Sequence, residues 1–256
     1  MLVTTWAGVP PDGWRKEVCI SATNVQQDKP RIIAINYFIH TVWRGNSNGE
    51  NELFYKRSID DGFSWQSDMQ ISNAGYVDEV WDGYTIAGDE QGNIYIVWSQ
   101  GIQWQDYTMW MSHSTDNGFS WSAPEAIDVG LQYDNLKEPF PYLTVDESGC
   151  LHLAFQYYYY DGQYNYYLCY SQNSGAGWTN YEEIHSGDAS NQMYFVLLTH
   201  NQIPHIVFSV KTTTRASKIW HAKRISANNW EETEIVYILG PVYQVDFAKG
   251  VMTTSM

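Results

Sequence analysis

The stretch Ser58-Ile59-Asp60-Asp61-Gly62-Phe63-Ser64-Trp65 returns almost unchanged as Ser114-Thr115-Asp116-Asn117-Gly118-Phe119-Ser120-Trp121. A weaker copy reads Ser171-Gln172-Asn173-Ser174-Gly175-Ala176-Gly177-Trp178, and decayed copies end at Asn228-Asn229-Trp230 and Asp12-Gly13-Trp14. Trp14, Trp65, Trp121, Trp178 and Trp230 are spaced by 51, 56, 57 and 52 residues, a period that marks a repeat architecture. Short acidic side chains such as Asp60 and Asp116 accept backbone N–H bonds inside their own turn, and Gly62 and Gly118 permit the positive φ such a turn needs. The repeated indole rings are expected between repeats, where burial is worth roughly 2–3 kcal/mol each by area.

Working outward, a second column keeps the same period. Ile39-His40-Thr41-Val42-Trp43, Ile94-Tyr95-Ile96-Val97-Trp98, Leu151-His152-Leu153-Ala154-Phe155 and Pro204-His205-Ile206-Val207-Phe208 hold one place in each repeat. Each is short, apolar and aromatic-ended, as a buried strand is. Turn residues precede three of them, at Asp89-Glu90-Gln91-Gly92, Asp146-Glu147-Ser148-Gly149 and Asn201-Gln202. The unit therefore reads strand, tight turn, strand, variable loop, strand, boxed turn, strand: a four-stranded antiparallel propeller blade. The fold expected is an all-β, single-domain, five-bladed β-propeller, with blades at about 22–72, 80–129, 138–186, 190–237 and 241–256 plus 1–21. Its last blade takes strands from both termini, which leaves no free sheet edge.

Composition narrows the function. Lys and Arg number 14 against 29 Asp and Glu, a formal net charge of -15, which repels phosphate backbones and anionic bilayers; neither nucleic acid nor membrane is an expected partner. No apolar run reaches the length of a spanning helix. Residues 1–20 lack the basic start and apolar block of a signal peptide, so a cytoplasmic location is the default expectation. Cys19, Cys150 and Cys169 are too few for a disulfide scaffold, and their spacing fits no zinc motif. The column of His40, His152 and His205 is interrupted by Tyr95, so each histidine is expected to be satisfied within its own blade rather than to bind metal. No cofactor or metal is expected.

With these motifs in place, the whole chain resembles an Asp-box propeller of the sialidase superfamily. That resemblance implies boxed turns on the blade periphery, away from the active face. It also implies that Pro30-Arg31-Ile32-Ile33 stands where sialidases carry an Arg-Ile-Pro element, making Arg31 a grip for a substrate carboxylate. Glu138-Pro139 matches the Glu-Pro element whose glutamate assists a tyrosine nucleophile, and Tyr243 is the matching tyrosine. Three departures argue against sialidase activity itself: Ile33 replaces the proline, Ala154 and Phe155 stand where a further arginine is expected, and sialidases have six blades.

Propellers bind ligands through the loops before each first strand and between each second and third strand, and here those loops stop repeating. They supply Asp78, Glu79, Trp81, Asp82, Arg31 and Glu138 from the first set, and Arg44, Trp104, Asp106, Tyr158, Asp161 and Arg215 from the second. Flat rings stack on sugar faces and Asp, Glu and Arg bond hydroxyls, so a carbohydrate or other small molecule is the expected ligand. Glu138, Asp82 and Asp161, with Tyr243, are the candidate catalytic groups, since two carboxylates about 5–10 Å apart suffice for glycoside hydrolysis. Arg31, Arg44, Asp78, Glu79, Trp81, Trp104, Asp106, Tyr158 and Arg215 are the candidate binding groups. The alternatives are a five-bladed lectin, an aromatic-lined cyclase or isomerase, and an interaction scaffold. A multivalent lectin would repeat its binding loops from blade to blade. The asymmetry here favours one central site, and an enzyme or a single-ligand binder, with a glycoside-hydrolase-like enzyme the leading expectation.

Overall fold

A computed structural model describes residues 18–21, 27–47, 50–72, 83–102, 105–131, 137–160, 164–187, 194–213 and 216–239. Within these, sixteen strands form four sheets, each a meander of four antiparallel strands in sequence order. Blade one holds β1 (Gln27–Ile35), β2 (Phe38–Ser47), β3 (Glu50–Ser58) and β4 (Met69–Gln70). Blade two holds β5 (Tyr84–Gly88), β6 (Ile94–Ile102), β7 (Gln105–Ser114) and β8 (Glu125–Ala126). Blade three holds β9 (Lys137–Val145), β10 (Leu151–Tyr160), β11 (Tyr164–Asn173) and β12 (Glu182–Gly187). Blade four holds β13 (Phe195–His200), β14 (Ile203–Thr213), β15 (Ala216–Ser226) and β16 (Asn229–Leu239). The first strands contact one another in the order β1, β5, β9, β13, so the blades are arrayed side by side along them. Of the segments expected to close a fifth blade, 241–256 and 1–21, only 18–21 lie among the described residues, and they form no strand.

Period-two alternation explains why the second strands read as continuous apolar runs: both of their faces are covered. On β6, Ile94, Ile96 and Trp98 pack with Val42, Leu53 and Tyr55 of blade one, while Val97 packs with Leu143, Leu153 and Phe155 of blade three. On β10, Leu153 and Phe155 face blade two, while Ala154 joins Leu197, Ile206 and Phe208 of blade four. Among the described residues the core is thus three apolar layers, one between each pair of consecutive blades. The boxed turns add rings to those layers. Trp121 of blade two meets Tyr55 of blade one edge-on, centroids 4.8 Å apart at 69°, and Trp230 of blade four meets Tyr170 of blade three at 5.1 Å and 70°.

The histidines of the column take hydrogen-bond partners within their own blades. His40 Nδ1 lies 2.7 Å from the Tyr55 hydroxyl, and His152 Nδ1 lies 2.6 Å from that of Tyr170. Burial lowers both rings' affinity for a second proton, to a pKa of about 4 for His40. In blade two Tyr95 stacks on His113 instead, and in blade four His205 bonds His221 at 2.9 Å.

Candidate functional site

Each blade has two dissimilar ends. At one lie the boxed turns and the turns joining first to second strands, and there the boxes of blades one and two repeat the same bonds. Ser64 donates to Asp60 from its amide (2.8 Å) and its hydroxyl (2.6 Å), and Ser120 does the same to Asp116 at the same two distances. Asp61 and Gly62 (φ 57° and 82°) and Asn117 and Gly118 (φ 56° and 73°) carry the left-handed backbone. These bonds hold the Asp116 carboxyl down to about pKa 2. A site made of unlike groups belongs at the other end, where first strands begin and second strands hand over to third.

In blade one that end is built around a proline. Pro30 has no N–H to give the ladder, and the β1–β2 register shifts between Asp28 and Arg31. Lys29 takes a left-handed φ of 51° within the irregularity. Arg44, opposite on β2, forks onto Asp28, with Nε 2.8 Å from Oδ1 and Nη2 2.6 Å from Oδ2. That donation holds the Asp28 carboxyl below its ordinary value. From blade two, the buried Tyr84 hydroxyl donates to the Lys29 carbonyl, and the Arg31 guanidinium carbon lies 5.9 Å from the Tyr84 ring centroid, within cation–π reach. Burial raises the Tyr84 pKa, so its hydroxyl stays protonated as a donor.

Blade three repeats the backbone device with other side chains. Its β9–β10 register shifts between Gln156 and Tyr158, placing Glu138-Pro139 in the irregularity. The Ser99 hydroxyl of blade two donates to the Pro139 carbonyl at 2.7 Å and so fixes this segment across the blade boundary. The tyrosine run then alternates as its sequence implies. Tyr157 is buried, stacked on Tyr167 at 5.0 Å and 14°, whereas Tyr158 is half-buried beside Tyr166 at 5.6 Å. In blade four, Tyr194 and Ser209 exchange bonds at the mouth of β13.

The structure therefore brings Arg31, Arg44 and Tyr158 to the expected end, together with the backbone of Glu138 and Asp106, whose side chains are outside the described residues. Asp78, Glu79, Trp81, Asp82, Trp104, Asp161, Arg215 and Tyr243 also lie outside the described residues. Sequence reasoning passed over Asp28, Tyr84 and Ser99. Asp28 and Tyr84 stand at the starts of first strands, but only the register shows Asp28 opposite Arg44; Ser99 carries no local signal at all. Among the described residues, no trio of His, Cys, Asp or Glu atoms close enough to share a metal ion lies at this end.

The arrangement of blades has known counterparts. A Hadza microbial sialidase, Hz136, superimposes with a TM-score of 0.59 at 15% identity, over 81% of this chain and 46% of that one. A Trypanosoma rangeli sialidase in complex with 2,3-difluorosialic acid gives 0.56 at 16% identity, over 80% and 37%. The fold is that of a β-propeller. An ulvan lyase, a polysaccharide lyase bound to -[GlcA(1-4)Rha3S]-, gives 0.61 at 11% identity, over 81% of the propeller described here and 55% of that chain. The matched propeller thus spans about half the length of these proteins, or less. No family model matches the sequence, and no curated protein matches it.

Proposed function

We propose that the chain is a five-bladed Asp-box propeller of the sialidase superfamily, its last blade completed by both termini. We propose further that its one asymmetric site binds an acidic carbohydrate and cleaves a glycosidic bond. The observation that carries this reading is the contrast between the two ends. The boxed turns of blades one and two repeat bond for bond, while the opposite end carries a guanidinium–carboxylate fork in blade one and a tyrosine pair in blade three. A symmetric lectin would show the reverse. The folding neighbours support a carbohydrate, and the ligands of two of them, a sialic acid derivative and a GlcA-containing unit, are acidic sugars.

In this reading Glu138 works with Asp82 or Asp161 as the carboxylate pair that protonates the leaving oxygen and attacks or activates water. Arg31 holds the sugar carboxylate, and Tyr158, Trp81 and Trp104 stack on its rings. Arg44 is bound to Asp28 and acts by holding the mouth of β1 in place. The test is turnover of a panel of acidic and neutral oligosaccharides. Glu138→Gln is expected to lower turnover by about 10²–10⁴-fold with an unchanged thermal midpoint. Arg31→Ala is expected to raise KM for acidic substrates selectively. Full turnover in Glu138→Gln overturns the assignment, and binding without turnover by the unmodified chain makes it a lectin.

A further inference from the structure

At the end remote from that site, the turn between β9 and β10 brings together Asp146, Cys150 and His152, whose ligand atoms all lie within 4.8 Å of one another. Asp146 Oδ1 is occupied by its own turn, accepting from the amides of Ser148 and Cys150 and from the Ser148 hydroxyl. Oδ2 faces His152 Nε2 at 3.1 Å. Asp146 and His152 are buried, and Cys150 is half-buried at the rim.

Blade two shows the same turn closed. There Asp89 stands for Asp146, and Asn93 donates both its amide, at 2.9 Å, and its side-chain N–H, at 2.7 Å, to the two carboxylate oxygens. Tyr95 takes the place of His152. In blade three Cys150 occupies the Asn93 position, and its thiol points instead toward the Leu151 carbonyl at 3.7 Å. A turn satisfied by an amide has become one carrying a carboxylate, a thiol and an imidazole.

The hydrogen bonds beyond the ring fix its tautomer. Arg224 Nη1, a donor only, lies 3.2 Å from Gln172 Oε1, so that atom is the amide oxygen. The Tyr170 hydroxyl, 3.0 Å from the same oxygen, must donate to it. Tyr170 therefore accepts from His152 Nδ1, 2.6 Å away, and the ring proton sits on Nδ1. Whenever the ring is neutral, the Nε2 lone pair is directed at the Asp146 carboxylate, and the two acceptors are held together only by a proton or a metal cation between them. A ligating histidine oriented by a bond from its other nitrogen is the usual arrangement at metal sites.

We propose that Asp146 Oδ2, Cys150 Sγ and His152 Nε2 form a binding site for a divalent cation of the zinc class. The 3.1 Å separation of Nε2 and Oδ2 is what two ligands about 2.0–2.1 Å from one zinc ion subtend at roughly a right angle. Mixed imidazole, carboxylate and thiolate donors select zinc or a similar ion over calcium or magnesium. Binding releases the Cys150 thiol proton to solvent, and a water molecule fills the fourth position. The ion would tie the β9–β10 turn to the Tyr170–Gln172–Arg224 chain, bracing blade three against blade four.

Cobalt(II) titration of the metal-stripped protein tests this. One equivalent should give a thiolate-to-cobalt charge-transfer band with tetrahedral visible bands, and zinc should displace it. Cys150→Asn, which recreates the blade-two turn, should fold without metal and lose the band. His152→Gln should lose it too, and Cys19→Ser should keep it. Zinc should raise the thermal midpoint of the unmodified chain and leave that of Cys150→Asn unmoved. Absence of the band in the unmodified protein, or its persistence in either Cys150→Asn or His152→Gln, overturns the proposal.

Discussion

Lys29 and Glu138 hold the same place in their blades. Each immediately precedes a proline, and each lies in the register shift beside that proline. At this position the two first strands carry opposite charges, while Tyr84 opens the first strand of blade two and Tyr194 directly precedes that of blade four.

The bond from Ser99 to the Pro139 carbonyl is the fastening for that end of β9. Ser99→Ala removes a buried donor and is expected to cost about 1–2 kcal/mol in urea denaturation. Because Glu138 adjoins the freed carbonyl, turnover should fall about tenfold or more while KM changes little. Loss of stability with unchanged turnover would separate Glu138 from the chemistry.

The Arg44–Asp28 fork makes a second, pH-dependent prediction. The Asp28 carboxyl is held below its ordinary value of 3.8, so its contribution to stability is complete above that value. It is lost as pH falls through the lowered folded value, because the unfolded chain takes up the proton first. Asp28→Asn should cost about 1–2 kcal/mol at neutral pH and remove this part of the acid sensitivity, measured by thermal midpoints across the acid range.

Much of this was legible in the sequence, for a physical reason. Boxed turns and buried second strands are local: Asp60 bonds residues four positions away, and Ile94 and Ile96 alternate with Val97 on one strand. Such features leave a period that a reader can count. The site end is assembled across blades instead, from Ser99 to Pro139 and from Tyr84 to Lys29, contacts that no spacing encodes. The Asp146–Cys150–His152 group escaped for a different reason. Its turn matches a harmless one in blade two, from which the ligand set differs by Cys150 in place of Asn93 and His152 in place of Tyr95.

His40 supplies a third prediction. Burial lowers its pKa from 6.5 to about 4, with the nearby Arg57 charge adding to the shift. The unfolded state therefore binds a proton that the folded state refuses, and stability falls as pH drops from 6.5 toward 4. The loss over that window is up to about 3 kcal/mol. His40→Gln, which keeps an acceptor for Tyr55, should flatten this share of the slope in chemical denaturation at a series of pH values.

The blade boundaries invite a stabilising change. Between blades three and four, Glu182 accepts from Arg224 Nε and Nη2 and from Trp230 Nε1. Between blades one and two, the buried Arg57 Nε and Nη2 and Trp121 Nε1 have no acceptor among the described residues. Tyr170 pairs with Glu182, and Tyr55 pairs with Met69 in the corresponding register. Met69→Glu is expected to supply the missing carboxylate and raise stability by about 1–3 kcal/mol, read as a higher denaturation midpoint.

The central claim is a single, asymmetric carbohydrate site at the end where the first strands begin. Isothermal titration of the Glu138→Gln chain with the oligosaccharide that the unmodified protein cleaves tests it most directly. One ligand per chain, with affinity lost when Arg31→Ala is added, is the predicted result. Several equivalent sites per chain, or one site indifferent to Arg31, would contradict it.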